Sequence, residues 1–167
     1  MDDKEFERLL LSVQKPGRYS GGEINSVVKD KNKVDVRFAF CFPDTYEIGM
    51  SHLGIKILYS QFNERDDIWC ERVFAPCEDF EKIMREKNIP LFGLESRDSI
   101  RDFDFIGFTL QYEMSYTNIL NMLDLAGVPL RAADRTELSP LVVAGGPCCS
   151  NDSRLFRPFL FGRGRGG

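Results

Sequence analysis

The chain is poor in the side chains that most often hold metals or carry nucleophilic chemistry. Of 167 residues one is histidine, His52, and five are cysteines: Cys41, Cys70, Cys77, Cys148 and Cys149. An odd cysteine count without a secretory leader argues against a disulfide framework. No two cysteines have the two-residue gap of a zinc knuckle or redox dithiol, and the adjacent Cys148 and Cys149 cannot easily point at one tetrahedral metal. No three are spaced to hold an iron–sulfur cluster. Cys41 and Cys70 therefore read as small buried apolar residues on strands. A basic excess is also missing: 22 Lys and Arg against 26 Asp and Glu leave a net charge of -4, so neither nucleic acid nor an anionic membrane is expected as a partner. No apolar run approaches the ~18 residues that span a bilayer. The start, Met1-Asp2-Asp3-Lys4-Glu5, is acidic and has no apolar leader core, so a cytoplasmic protein is expected.

What is present is an ordinary globular mixture, 43% apolar and 29% charged, with 14 Phe to fill a core. Phe6, Leu9, Leu10 and Val13 recur at helical spacing over residues 4–13. The Pro- and Gly-rich run Lys15-Pro16-Gly17-Arg18-Tyr19-Ser20-Gly21-Gly22 then breaks regular structure, so residues 1–33 read as a helix and an arm packed on the main domain. The main domain opens with a strand over 34–42, almost wholly apolar in its later half, as a central strand buried on both faces should be. A loop at 44–51 follows, with Ser51 as N-cap of a helix that carries Leu53, Ile57 and Leu58 on one face and Ile55, Tyr59 and Phe62 beside it. A strand at 68–75 stops at Pro76. A helix at 78–88 turns Phe80, Ile83 and Met84 inward. Residues 91–94 read as a short edge strand and 105–110 as another buried strand. A helix at 116–126 turns Ile119, Leu120 and Leu123 inward, and a strand at 141–144 runs into Gly145-Gly146-Pro147. Alternating strands and helices predict an α/β fold: a flavodoxin-like or Rossmann-like three-layer sandwich with a mainly parallel sheet of four to five strands. Only residues 158–161 are left for the fifth strand, so the domain, 34–162, is expected to have it incomplete or degenerate. The Gly- and Arg-rich tail at 163–167 is expected to fray.

In such sheets ligands bind outside the carboxyl ends of the strands, where strand order reverses. The loops concerned are 43–51, 111–115 and 145–150. The first is too long for a bare strand-to-helix turn and mixes polar side chains with Gly49. It is either a ligand-contacting loop or an ordinary decorated one. It has neither a Gly-x-Gly-x-x-Gly run nor the Gly-Lys-Ser/Thr of a phosphate loop. Thr109 ends a buried strand, where its hydroxyl bonds either a ligand or a neighbouring carbonyl. Gly145-Gly146 at a strand end marks either a flat ligand passing close to the backbone or a tight turn. His52, at a helix start, is either a ligand or a capping residue. No nucleophile–base pair stands out, which argues against a free-standing small enzyme.

Several segments resemble, in order and at matching spacing, the N-terminal region of a family of uncharacterised radical SAM proteins. They are Phe42-Pro43-Asp44-Thr45-Tyr46-Glu47-Ile48-Gly49-Met50-Ser51-His52-Leu53-Gly54, Trp69-Cys70-Glu71-Arg72-Val73-Phe74-Ala75-Pro76, Gly107-Phe108-Thr109-Leu110-Gln111-Tyr112-Glu113 and Ala144-Gly145-Gly146-Pro147-Cys148. Lys15-Pro16-Gly17-Arg18-Tyr19 with Gly21-Gly22-Glu23 matches too, so the resemblance covers roughly residues 15–150.

The resemblance implies a cobalamin-binding-like domain that precedes, in cis, a radical SAM barrel holding a 4Fe–4S cluster and S-adenosylmethionine through Cys-x₃-Cys-x₂-Cys. That motif does not occur in this chain, so the chain is not expected to be catalytic by itself. The implied corrin-contacting residues are Asp44, Thr45, Glu47, Gly49, Ser51, His52, Thr109, Gln111, Tyr112, Gly145, Gly146 and Pro147. Two departures stand against the family pattern. The Asp-x-His-x-x-Gly signature of histidine-on-cobalt ligation is absent, which implies a corrin without a protein ligand on its lower face. The stretch after Pro147 is basic and glycine-rich where the family is acidic, as a truncated or frame-shifted copy would be. The alternative reading is a docking or regulatory domain that kept the fold without the corrin.

Overall fold

The computed structural model describes residues 3–149 and Phe159. Its sheet is built from β1 (Val36–Phe42), β2 (Ile68–Phe74), β3 (Phe105–Thr109) and β4 (Leu141–Gly145), all parallel, in the order β2-β1-β3-β4. The helices are α1 (Asp3–Leu10), α2 (Tyr46–Ser51), α3 (Leu53–Asn63), α4 (Glu78–Lys87) and α5 (Tyr116–Leu125). The fold is therefore the expected α/β sandwich, with four strands among the described residues. The expected fifth strand at 158–161 and the tail at 163–167 lie outside the described residues, except Phe159, whose carbonyl accepts from Arg135 Nη2 at 2.8 Å. Among the described residues no helix is long and apolar enough to cross a membrane.

Strand alternation sorts the core into two layers. Ala39, Cys41, Ile106, Phe108 and Val142 meet Phe80 and Met84 of α4, Ile119, Met122 and Leu123 of α5, and Phe6 and Leu10 of α1. On the opposite face Phe40, Phe42, Cys70 and Phe74 meet Ile55 and Tyr59 of α3. Cys41 and Cys70 are fully buried, and burial pushes both thiols up from their ordinary values. This placement follows from handedness. The step from β1 to β2 runs one way along the sheet and puts α3 on one face. The steps from β2 to β3 and from β3 to β4 run the other way and put α4 and α5 on the other.

Four expectations need correction. Residues 44–51 are not all loop: Tyr46–Ser51 is the helix α2, with Thr45 at its N-cap position. Ser51 does not cap α3, because its hydroxyl donates to Ile48 O at 2.8 Å. His52 is the cap, its Nδ1 accepting from Ile55 N at 3.4 Å. Leu53, Ile57 and Leu58 do not face the sheet: the i, i+4, i+7 set Ile55, Tyr59 and Phe62 does, and the other three stay 69, 49 and 42% exposed. Residues 91–94 form no strand. Leu94 N donates once to Arg72 O beside β2, and Phe92 makes an isolated antiparallel bridge to Ser99.

The arm is tied to the body by specific bonds. Lys29 Nζ donates to the carbonyls of Asn63 and Ile68, Trp69 Nε1 donates to Val27 O, and Val27 N donates to the Tyr59 hydroxyl at 2.7 Å. Beneath it lies a buried charge network. Arg72 Nε donates to Glu95 Oε1 at 2.7 Å, and Arg72 Nη2 reaches Glu23 and Ser26. Arg37 Nη2 donates to Glu71 Oε1 at 2.6 Å. Desolvation raises the Glu95 carboxyl, and the neighbouring Arg72 opposes that rise.

Candidate functional site

Because every strand is parallel, the loops after β1, β3 and β4 all leave at one edge of the sheet. Backbone bonds fix them there. Leu110 N donates to Gly145 O at 2.7 Å and Cys148 N to Leu110 O at 3.2 Å. Side chains join the first two loops: the Tyr112 hydroxyl donates to Asp44 Oδ2 at 2.6 Å, and Asn118 Nδ2 donates to Pro43 O at 2.9 Å. The bond to Asp44 raises the Tyr112 phenol above its ordinary value. The recess enclosed by Phe42, Pro43, Asp44, Thr109, Gln111, Tyr112 and Ser115 leaves no space for a water molecule.

The implied site residues fall into two groups. Asp44, Thr109, Gln111, Tyr112, Gly145, Gly146 and Pro147 share the strand-end rim. Thr109 Oγ accepts from Gln111 Nε2 at 2.5 Å, so its partner is the neighbouring amide rather than a carbonyl. Gly146 has φ +117, and a Cβ there would lie 2.6 Å from Leu110 O. Its close approach is to the chain's own backbone, the tight-turn alternative. Gly145 is different: it is exposed, and a Cβ added to it meets nothing within 4 Å. Pro147 opens the short turn Pro147–Cys149.

Thr45, Glu47, Gly49 and Ser51 belong to α2 and its cap, and they do not enter the recess. Gly49 is required by packing, since a Cβ there would sit 2.3 Å from the Phe74 ring. Glu47 points to the arm, accepting from Arg18 Nε at 2.9 Å and from Lys15 Nζ at 3.2 Å. His52 stacks obliquely on Phe42, ring centroids 5.3 Å apart. Its Nδ1 accepts the Ile55 backbone N–H at 3.4 Å, so that nitrogen faces the first turn of α3. Among the described residues no group of three or more His, Cys, Asp or Glu gathers around a common point.

The bond from Arg18 holds the Glu47 carboxyl down to about 2. The folded value lies below the unfolded one of about 4.3. The stabilisation from this tie is therefore complete above that value and is lost as pH falls toward 2. An NMR titration should find Glu47 among the most acidic carboxyls. Arg18→Gln should return it to the ordinary range; an unchanged titration would show that the tie does not form.

Sequence reasoning missed Asn118 and Ser115, which brace the rim, and it missed the charge network. Ser115 is buried and its hydroxyl donates to Tyr112 O at 2.6 Å. For the network a signal existed: Glu71-Arg72 interrupts an otherwise apolar strand, and charges so placed must be paired. Asn118 carried no signal, since an amide on a helix surface is unexceptional.

A family model described as radical SAM proteins, N-terminal, matches residues 54–160. An uncharacterized protein of Methanocaldococcus jannaschii is 24% identical over 128 residues, covering 74% of this chain and 23% of that protein. The chain thus spans about a quarter of the length of the curated relative it matches. No solved structure matches.

Proposed function

The chain belongs to the radical SAM proteins through their N-terminal region, and on that premise we propose that it is an accessory module that seats a corrin for a radical SAM barrel carried elsewhere in the parent polypeptide. The barrel, with its 4Fe–4S cluster and S-adenosylmethionine, does the radical chemistry. The observation that carries the corrin reading is Gly145: the end of β4 is bare of side chain, open, and paired in register with Thr109. These residues fit a corrin held by shape and by the Thr109 hydroxyl. They do not fit one ligated by histidine, because His52 Nδ1 is committed to the α3 cap. A bound corrin supplies a cobalt centre, and the chain's residues bind it and hold it in place.

The rim has to yield for this to happen. Tyr112 must release Asp44, which opens the filled recess between the first two loops. Tyr112→Phe removes a hydrogen bond with a net worth of about 0.5–1.5 kcal/mol. It should therefore tighten hydroxocobalamin binding roughly two- to thirteenfold. Gly145→Leu should abolish binding by filling the open strand end. The assay is retention of the corrin's visible spectrum by the protein through a desalting column. Free passage of the corrin with both the unsubstituted chain and Tyr112→Phe would overturn the reading.

A second reading has its own observation. The recess is closed by the chain's own bonds, Tyr112 to Asp44 and Gln111 to Thr109. A module that docks on its parent without a corrin would have that closed rim, and it would pass the desalting assay unloaded in every variant.

A further inference from the structure

The arm run that ends in Gly21-Gly22-Glu23 takes no part in the strand-end rim. Glu23 and the residues after it instead wall a cleft of about 890 Å³, a size usual for small-molecule sites. Arm residues 23–27 form one side, and the flank of α3 that carries Ile55, Tyr59 and Asn63 forms the other. The bonds of Val27 to Tyr59 and of Trp69 to Val27 hold the arm wall in place. Three features say what the cleft accepts. Its lining is aliphatic: Ile24 stands fully in solvent at the mouth, and Val27, Met50 and Ile55 continue it inward. Its charges are closed. Glu23 and Glu64 balance Lys56 and Arg72 in the lining, and Arg72 is already bonded to both Glu23 and Glu95. A third carboxylate would crowd those two, and a cation would crowd the guanidinium. Finally, one donor is poorly matched. The Arg72 side chain is 5% exposed and lines the cleft, and its Nη1 donates to the thioether of Met50 at 3.5 Å. A thioether sulfur accepts weakly, so a buried guanidinium N–H gains when an oxygen takes its place.

We propose that the cleft between the arm and α3 binds a small uncharged molecule that has an aliphatic body and a carbonyl group. The carbonyl oxygen accepts from Arg72 Nη1 in place of the Met50 sulfur. Met50 is unbranched, so it turns aside and packs on the aliphatic body beside Val27 and Ile24. Tyr59 stays beneath. Its ring carries the Arg72 guanidinium at 4.4 Å and its hydroxyl holds the arm, so the donor is in position before the ligand arrives. The inference does not depend on corrin binding, because the cleft shares no residue with the recess at the strand ends.

The test is an NMR titration of the chain with three probes that share a branched aliphatic body: N-isobutylacetamide, isovalerate and isobutylammonium. The amide should saturably shift the signals of Ile24, Val27 and Ser60 and the guanidinium N–H signals of Arg72. Its dissociation constant should be on the order of 1–10 mM, as a ligand of that size allows. The carboxylate and the ammonium should bind at least roughly tenfold more weakly, since each brings a charge that the closed ion pairs do not match. Ile24→Asp should abolish amide binding and leave the melting temperature unchanged, because that side chain is fully exposed. The proposal falls if the amide shifts do not saturate at any soluble concentration, or if Ile24→Asp binds the amide as before. It falls as well if the three probes bind alike, which marks an adventitious additive only, or if the cleft residues shift while the Arg72 guanidinium does not. None of these outcomes changes what hydroxocobalamin does at the rim.

Discussion

Replacing Arg72 with methionine is expected to cost about 3–5 kcal/mol, the usual result of removing one member of a buried ion pair. The side chains of Arg72 and Glu95 are 5 and 0% exposed, so Arg72→Met leaves a carboxylate in the interior with one backbone donor, Arg72 N at 2.8 Å. The guanidinium also packs over the Tyr59 ring at 4.4 Å and holds Glu23 and Ser26 of the arm. The loss should therefore appear both as lower global stability in urea and as early release of residues 23–29 in hydrogen exchange. The double variant Arg72→Met with Glu95→Leu should recover most of the loss, because what is costly is the orphaned charge and not the missing attraction. If the double variant is as unstable as the single one, the pair contributes through geometry and not through charge compensation.

Phe80→Ala is expected to have a comparable effect, about 3–5 kcal/mol, as deletion of a fully buried aromatic does. The ring stacks on Tyr19 of the arm with centroids 4.2 Å apart and meets Phe6 of α1 and Phe92 edge-on. Burial pushes the Tyr19 phenol up to about 12, consistent with a ring enclosed by its neighbours. The prediction separates two pictures of residues 3–33. If the arm is part of the core, Phe80→Ala lowers stability in a single cooperative transition. If it is an appendage, the substitution releases residues 3–33 in a separate, earlier transition, while the sheet domain, whose own core holds Phe80, melts at a lower temperature of its own.

The four described strands and the helices α1, α3, α4 and α5 were legible from their apolar patterning and the stop signals that follow them. Phe40-Cys41-Phe42 before Pro43 and Leu141-Val142-Val143 before Gly145 are instances. What misled was the stretch from Asp44 to Leu58. Gly49 and the polar residues of α2 look like loop, whereas Gly49 is there because the Phe74 ring leaves no room for a Cβ. In α3 two apolar stripes compete, and sequence cannot rank them. Tyr59 and Phe62 go to the sheet because they extend the Phe40 and Phe42 layer, which leaves Leu53 and Ile57 outward. At the rim, position was readable from parallel topology, while the partners were not. Nothing in Thr109-Leu110-Gln111-Tyr112 foretells that Gln111 turns back onto Thr109 or that Tyr112 crosses to Asp44.

The measurement that bears most directly on the corrin reading is an amide NMR titration of the chain with hydroxocobalamin. The account predicts saturable shifts confined to the strand-end rim, at Asp44, Thr109, Gln111, Tyr112, Gly145 and Gly146, with loss of the Tyr112–Asp44 bond. Shifts scattered over the surface, or a spectrum unchanged at millimolar corrin, would contradict it.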